Sequence, residues 1–219
     1  MALELYAHPF SSYCQKVLIA LYENDTPFEF RMLDPQHPQN MTVLQSHWPM
    51  GKFPMLLDNG HPVFESTVII EYLAQHYSGH TALLPDTAIE AAETRLMDRI
   101  FDNYVMNNMQ AIVSNAMRPD DEKDQTGVDQ ARTMLEKTYR WLETRLASKA
   151  WATGDAFTLA DCAAAPALFY ADWVHPIPEE NKTLRAYRAR LLDRPSIKRA
   201  VDEARPYRHL FPLGAPDRD

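Results

Sequence analysis

Cysteine is nearly absent from this chain: Cys14 and Cys162 are its only two, one near the start and one deep in the second half. Two thiols so placed do not make a disulfide framework or a cysteine metal site, and they fit a reducing compartment. Basic charge is also short, with 22 Lys and Arg against 30 Asp and Glu for a formal net charge of -8. A polyanion is repelled by such a surface unless the cations gather on one face, and nothing in the residue order gathers them. Neither nucleic acid nor an anionic membrane is therefore an expected partner. Long apolar runs are missing too; none approaches the roughly 18 residues of a membrane span. The opening MALELYAHPF reaches polar residues too soon for a signal peptide, so a cytoplasmic location is expected. What is present is 46% hydrophobic content with 11% aromatics, enough to bury a core in one large domain or two small ones.

The pattern changes near residue 80. Before it, Leu3 to Tyr6 reads as a strand, Ser12 to Glu23 as a helix through Val17, Leu18 and Leu21, and Phe28 to Leu33 as a second strand. An irregular stretch follows. Pro54 to Asp58 and Pro62 to Phe64 then flank Asn59-Gly60, a strong hairpin signal, and Glu65 to Tyr77 returns to helical period. The order βαβ, then ββα, predicts two parallel strands joined by a crossover with an antiparallel pair added at one edge.

Beyond the turn-rich SGHTALLPD (Ser78 to Asp86), helices dominate. Ile89 to Met117 and Val128 to Ala147 read as two antiparallel bundle helices. In DAFTLADCAAAP, Thr158 caps a helix whose third residue is Asp161, a capping box, and the alanines after it suit a central buried helix. Leu184 to Leu192 and Ser196 to Ala204 add two short helices, with Pro195 between them.

One motif poses a chemical question. YAHPFSSYCQKVLIALYEN (Tyr6 to Asn24) sets Ser11 and Cys14 three residues apart just before a helix. That is the frame of a redox C-x-x-C with serine in the place of the first thiol.

Three stretches together, LYAHPFSSYCQKVLIAL, GKFPMLLDNGHPVFESTVIIEYL and GDAFTLADCAAAP, resemble the cytosolic-type glutathione S-transferases, in particular the serine-type, theta- and zeta-like members. The resemblance implies a thioredoxin-like glutathione-binding domain over residues 1–78, a linker over 79–86, and an all-helical domain over 87–219 that contributes the electrophile site. It further implies a cis bond at Pro54, glutathione as co-substrate, a small hydrophobic electrophile, no metal, a homodimer and a role in detoxification.

On that resemblance the serine has a reason. The frame delivers glutathione to one point and the substrate brings its own thiol, so Ser11 corresponds to the hydroxyl that stabilises the thiolate. Ser12 matches the second serine of the zeta-like motif and assists or replaces it. Tyr6 lies where tyrosine-type classes carry their donor, with core packing the preferred reading; His8 reads as a solvated loop histidine and Cys14 as a small core residue.

The ligand-binding residues follow the same correspondence. Ser66 begins a helix, where a hydroxyl and a backbone N–H suit the γ-glutamyl carboxylate, with Glu65 beside it for the ammonium; alternatively the pair only caps that helix. Phe53 corresponds to the residue whose backbone meets the cysteinyl unit. Lys52 reaches the glycine carboxylate or is a solvated lysine. Gln39, or His37 near it, is placed for a similar task. For the electrophile, the first long helix of the second half offers Tyr104, Asn107, Asn108 and Ala111, flanked by Met106 and Met109. Asp98 and Asp102 on that helix either reach a partner subunit's glutathione or are solvated.

Two function classes stay open. One is an enzyme, with conjugation, isomerase, peroxidase, dehalogenase or thiol-transferase chemistry at one glutathione site. The other is a non-catalytic, transferase-like interaction domain. The joint presence of Ser11, Pro54, Glu65 and Ser66 favours the enzyme, since an interaction-only domain has no use for the set.

Overall fold

The computed structural model describes residues 3–219; the first two positions of the expected first domain lie outside the described residues. Strand β1 (Leu3–Ala7) is followed by helix α1 (Ser12–Glu23) and strand β2 (Glu29–Met32), which lies parallel to β1 with Leu5 opposite Phe30. Strands β3 (Met55–Asp58) and β4 (His61–Phe64) form a hairpin, and β3 runs antiparallel on the other side of β1, giving the order β2-β1-β3-β4. The hairpin turn places Asn59 at φ 51° and Gly60 at φ 86°. Both central residues of this turn need positive φ, which explains the Asn-Gly pair. Pro62 has no N–H to donate and sits on the edge strand β4, where a missing donor is tolerated.

The strand period of two sends alternate side chains to opposite faces. Leu5 and Leu56 point into the main core with α1 and α3 (Ser66–His76), while Tyr6 and Met55 face a smaller cluster with Leu33 and Leu44. Leu44 belongs to α2 (Pro38–His47), so the stretch expected to be irregular contains a ten-residue helix. Its signal is faint for a physical reason. Pro38 occupies the first helical turn, and Leu44 is the only residue of the helix that is fully buried, so no apolar stripe marks the period.

The second half is helical: α4 (Ala88–Ile100), a π-helical segment (Phe101–Met106), α5 (Asn107–Ala116), α6 (Gln125–Arg145), α7 (Leu159–Val174), α8 (Lys182–Asp193) and α9 (Pro195–Ala204). Helix α7 is buried from Leu159 to Asp172. Its alanines let neighbours approach closely, and the capping box at Thr158 and Asp161 starts it as expected. The chain thus has a thioredoxin-like N-terminal domain with a four-stranded sheet and an all-helical C-terminal domain. Among the described residues, no helix is long and apolar enough to cross a membrane.

Helix α1 is the hinge-pin of the assembly, because it packs on α3 of the first domain and also on α7 and α9. Two buried charges on it, Lys16 and Glu23, find partners across the seam. Lys16 Nζ lies 2.5 Å from Asp98 and 2.8 Å from Asp102, and donates to Thr67 Oγ1 at 2.9 Å. Glu23 accepts from Ser196 at 2.7 Å, from Arg194 Nε at 2.9 Å and from Thr81 at 3.1 Å. Asp98 and Asp102 are consequently buried and ion-paired within this chain. The sequence expectation of a solvated pair is corrected, and the reason is Lys16, whose position inside an apolar helix hid its role.

Candidate active site

The site is built where two element ends meet. Ser11 is the residue before α1, extended at φ -79° and ψ 126°, and its side chain makes no capping bond. Facing it, the segment Trp48 to Pro54 carries a cis Phe53–Pro54 bond. At the start of α3, Glu65 holds φ 67° and ψ 119°, a backbone region unfavourable to a residue with a Cβ by roughly 1–3 kcal/mol. Glu65 makes no capping bond and Ser66 is the first helical residue, buried and not the cap. Neither side chain is occupied by closing the helix end, which the capping alternative requires.

These ends enclose a cleft of about 520 Å³. Ser11, Lys52, Phe53, Pro54, Glu65 and Ser66 all line it; so do Tyr13 from α1 and Arg99, Asp102, Asn103 and Gln110 from the facing helix. A second, smaller cavity of about 270 Å³ adjoins it, walled by Phe10, Met109, Val113, Met117, Tyr170 and Phe211, with Ser12 at its edge. Ser11, Phe53 and Gln110 border both cavities. The first is polar and charged and the second mostly apolar, so these three stand at the boundary between two chemistries.

Several expected residues lie elsewhere. Gln39 is exposed at the start of α2 and lines neither cavity, and His37 is bound to Asp34 at 2.7 Å. Tyr104 is 45% exposed and also lines neither. Asn107 accepts from Tyr13 at 3.1 Å, and Asn108 donates to the Tyr104 carbonyl at 2.9 Å. The apolar wall is instead the face of Met109, Val113 and Met117. A neighbouring helical position points about 100° away, and the π-helical segment before α5 interrupts the period from which a face would be reckoned. Met106 is core, 1% exposed.

The remaining titratable groups define what the site is not. Cys14 is fully buried, and burial pushes its thiol up to about 12 despite bonds from the Ser11 side chain and the His8 backbone. It is no nucleophile at neutral pH. Tyr6 is buried on the far face of the sheet, with its phenol raised by burial and then by Glu4. His8 is partnered and not simply solvated: its Nδ1 accepts from Phe10 N at 3.2 Å, its ring meets Tyr207 edge-on at 4.7 Å, and burial lowers its pKa. Tyr13 is pushed up to about 12 by burial first and by Asp102 next, so it stays a neutral donor, engaged with Asn107.

The loop before Ser11 is held from the helical half. Tyr170 donates to the Phe10 carbonyl at 3.0 Å, and Gln15 donates to Tyr170 and to the Pro9 carbonyl, each at 3.0 Å. Tyr13, Arg99, Asn103, Gln110 and Tyr170 are residues that sequence reasoning did not assign to the site. All but Tyr13 come from the helical half, brought in by packing that no local motif encodes.

Residues 5–81 match the family model for the glutathione S-transferase N-terminal domain and residues 105–195 that for the C-terminal domain. The chain is 29% identical over 203 residues to the stringent starvation protein A homolog of Coxiella burnetii, covering 91% of each. To glutathione S-transferase F6 of Arabidopsis thaliana it is 27% identical over 210 residues, covering 91% of this chain and 99% of the other. A solved glutathione S-transferase from Methylobacterium radiotolerans, in complex with glutathione sulfonate, superposes with a TM-score of 0.79 at 26% identity, covering 92% and 95% of the two chains. Both halves that enclose the cleft are thus matched, in the same order and by the two domains of one family, and the chain belongs to the glutathione S-transferases.

Proposed function

We propose that this protein is a serine-type glutathione transferase that binds glutathione in the polar cleft, holds it as a thiolate through Ser11, and conjugates it to a hydrophobic electrophile seated in the adjoining apolar cavity. The observation that carries this reading is the position of Ser11, Phe53 and Gln110 on the border of both cavities. A thiol at that border faces polar groups on one side and an apolar partner on the other.

The charges of the cleft suit the tripeptide. Glutathione has two carboxylates, one ammonium and one thiol; the cleft presents Lys52 and Arg99 as cations and Glu65 and Asp102 as anions. Ser66, at the N-terminus of α3, takes the γ-glutamyl carboxylate, Lys52 the glycine carboxylate, and the Phe53 backbone the cysteinyl unit. A free thiol titrates at about 8.5, and a fall of roughly one to two units makes it mostly thiolate at pH 7, worth about 1.4–2.7 kcal/mol. A hydrogen bond from Ser11 at the start of α1, together with the helix dipole, is of that size. The thiol proton leaves to water, the sulfur electron pair forms the C–S bond, and the leaving group departs with its own pair.

Ser12 is the lesser candidate. It is 3% exposed and accepts from Gln110 at 3.4 Å, so its oxygen is turned towards a protein partner. Residues 1–78 serve as the glutathione domain, 79–86 as linker and 87–219 as the electrophile domain, in a cytoplasmic homodimer. The dimer reading draws on Val68 of α3 and Leu96 of α4, large apolar side chains 54% and 47% exposed on helices joined by the Arg95–Glu71 pair at 2.7 Å. A second reading, a transferase-like interaction domain, draws on the relative whose name carries no transferase activity. Calorimetry with glutathione, paired with a panel of aromatic and alkyl halides, epoxides and hydroperoxides, separates the two. Binding with turnover of at least one electrophile is expected; absence of both would leave the interaction reading.

A further inference from the structure

A third cavity, of about 530 Å³, shares no lining residue with the two described above. It opens at the seam between the two halves of the chain. The end of α1 and the entry to β2 supply Tyr22, Asp25, Phe28 and Phe30, while α9 and the turn after it (Arg205–Leu210) supply Arg199, Glu203 and Tyr207. Its size suits a small molecule. Phe28 and Phe30 are two residues apart on extended chain, which puts both rings on one face.

The charged residues of the wall do not cancel. Glu203 is fully engaged: one oxygen accepts from Arg199 Nε at 2.9 Å and the other from the Tyr22 hydroxyl. The Arg199 guanidinium lies 3.8 Å from the centre of the Tyr22 ring, so a carboxylate and a ring face hold it together. Asp25 is different. It sits at φ 48° in the turn after α1, close enough for Arg199 to feel its charge. Among the described residues, however, its carboxylate enters no hydrogen bond or ion pair.

Arg199, Glu203 and Asp25 are the charged groups lining the cavity, and they sum to one negative charge. A carboxylate ligand would double it, a neutral ligand would leave it, and a single cation cancels it. The net charge of -8 on the chain draws cations and repels anions at longer range. Arg199 covers only Tyr22; among the described residues no cation lies over Phe28, Phe30 or Tyr207. A bare ammonium is strongly hydrated, whereas an alkylated one sheds water more readily and is drawn to ring faces.

We propose that this cavity binds a quaternary ammonium carrying an apolar body, its charge set against the Asp25 carboxylate and its methyl groups against Phe28, Phe30 and Tyr207. The site is independent of the glutathione cleft and of the reading given to that cleft.

The test is a proton NMR titration of the full chain with two probes of one shape, 4-(hydroxymethyl)phenyltrimethylammonium and 4-tert-butylbenzyl alcohol, which differ by a charged nitrogen in place of a carbon. Wild type is expected to bind the ammonium about 5- to 30-fold more tightly than its neutral twin. Asp25→Asn, at a positive φ that asparagine also adopts, lowers that preference about threefold and holds the neutral probe within about twofold. Arg199→Gln, which leaves Glu203 unbalanced, raises the preference. Both side chains are exposed, so neither change threatens the fold. A side chain with only a structural role moves both probes alike. A wild-type preference of one or less, no binding of either probe at millimolar concentration, or a preference that either variant leaves unmoved overturns the proposal.

Discussion

Ser11 and Cys14 share a motif and differ in burial, and that difference sets their chemistry. Cys14 is sealed in the core with its thiol raised to about 12 by burial, and Cys162 is buried with its thiol raised as well. An aromatic disulfide reagent at pH 7.5 is therefore expected to find no reactive thiol in the native protein and both in urea; rapid native labelling of either contradicts this. Ser11, by contrast, borders both cavities. Ser11→Ala should raise the thiol pKa of bound glutathione towards its free value and lower turnover at pH 7 about 10- to 100-fold, with partial recovery as pH rises. Ultraviolet titration of the thiolate checks it, and an unchanged pKa removes Ser11 from the role. That Ser11, Lys52, Phe53, Pro54, Glu65 and Ser66 share one cleft was legible through the family resemblance, whose motifs fall at the ends of the elements that carry these residues. Arg99 and Gln110 were not, because a polar residue on a long helix looks solvated until its facing element is known.

At the scale of elements, the capping box of α7 was legible and its reach was not. Asp161 accepts from Thr158 N at 2.9 Å, as the spacing predicts, but also from Ala152 N at 2.8 Å and from Tyr187 OH at 2.6 Å. One carboxylate thus starts the central helix, ties down the loop before it and anchors α8. Asp161→Ala would leave four buried donors, Thr158 Oγ1 being the fourth, without this partner, a loss on the order of 3–6 kcal/mol. Tyr187→Phe removes one donor and should cost about 1 kcal/mol. Urea unfolding measures both as midpoint shifts at constant slope; a small effect of Asp161→Ala would mean that water replaces the carboxylate. Strands and amphipathic helices announced themselves through their periods. Helix α2 did not, having one fully buried residue, and the π-helical segment 101–106 left no mark in the pattern even though it precedes the helix that walls the apolar cavity.

For the whole molecule, the order of elements was legible and the charges that lock the two halves were not, since Lys16 and Glu23 occupy an otherwise apolar helix and meet partners far away in sequence. Burial alone would raise the Glu23 carboxyl, but hydrogen bonds from Arg194 and Ser196 and the Arg194 charge hold it below its usual 4.5. A depressed folded pKa means stability that is present above the unfolded value and lost as pH falls through the folded one. Thermal unfolding of wild type should therefore weaken below pH 4.5 more steeply than that of Glu23→Gln; parallel curves would remove Glu23 from the acid response. Assembly gives the last expectation. If Val68 and Leu96 form an isologous apolar face, each chain meets its partner's copy of that face, and a like charge placed there opposes itself across the twofold axis. The double variant Val68→Glu, Leu96→Glu should sediment as a monomer at micromolar concentration where wild type sediments as a dimer. Because Ser11, Lys52, Phe53, Glu65 and Ser66 all line the cleft from one chain, that monomer should keep its glutathione affinity within about threefold, a change of less than 1 kcal/mol. A wild-type monomer defeats the dimer, and a variant monomer that has lost glutathione shows that the site needs its partner.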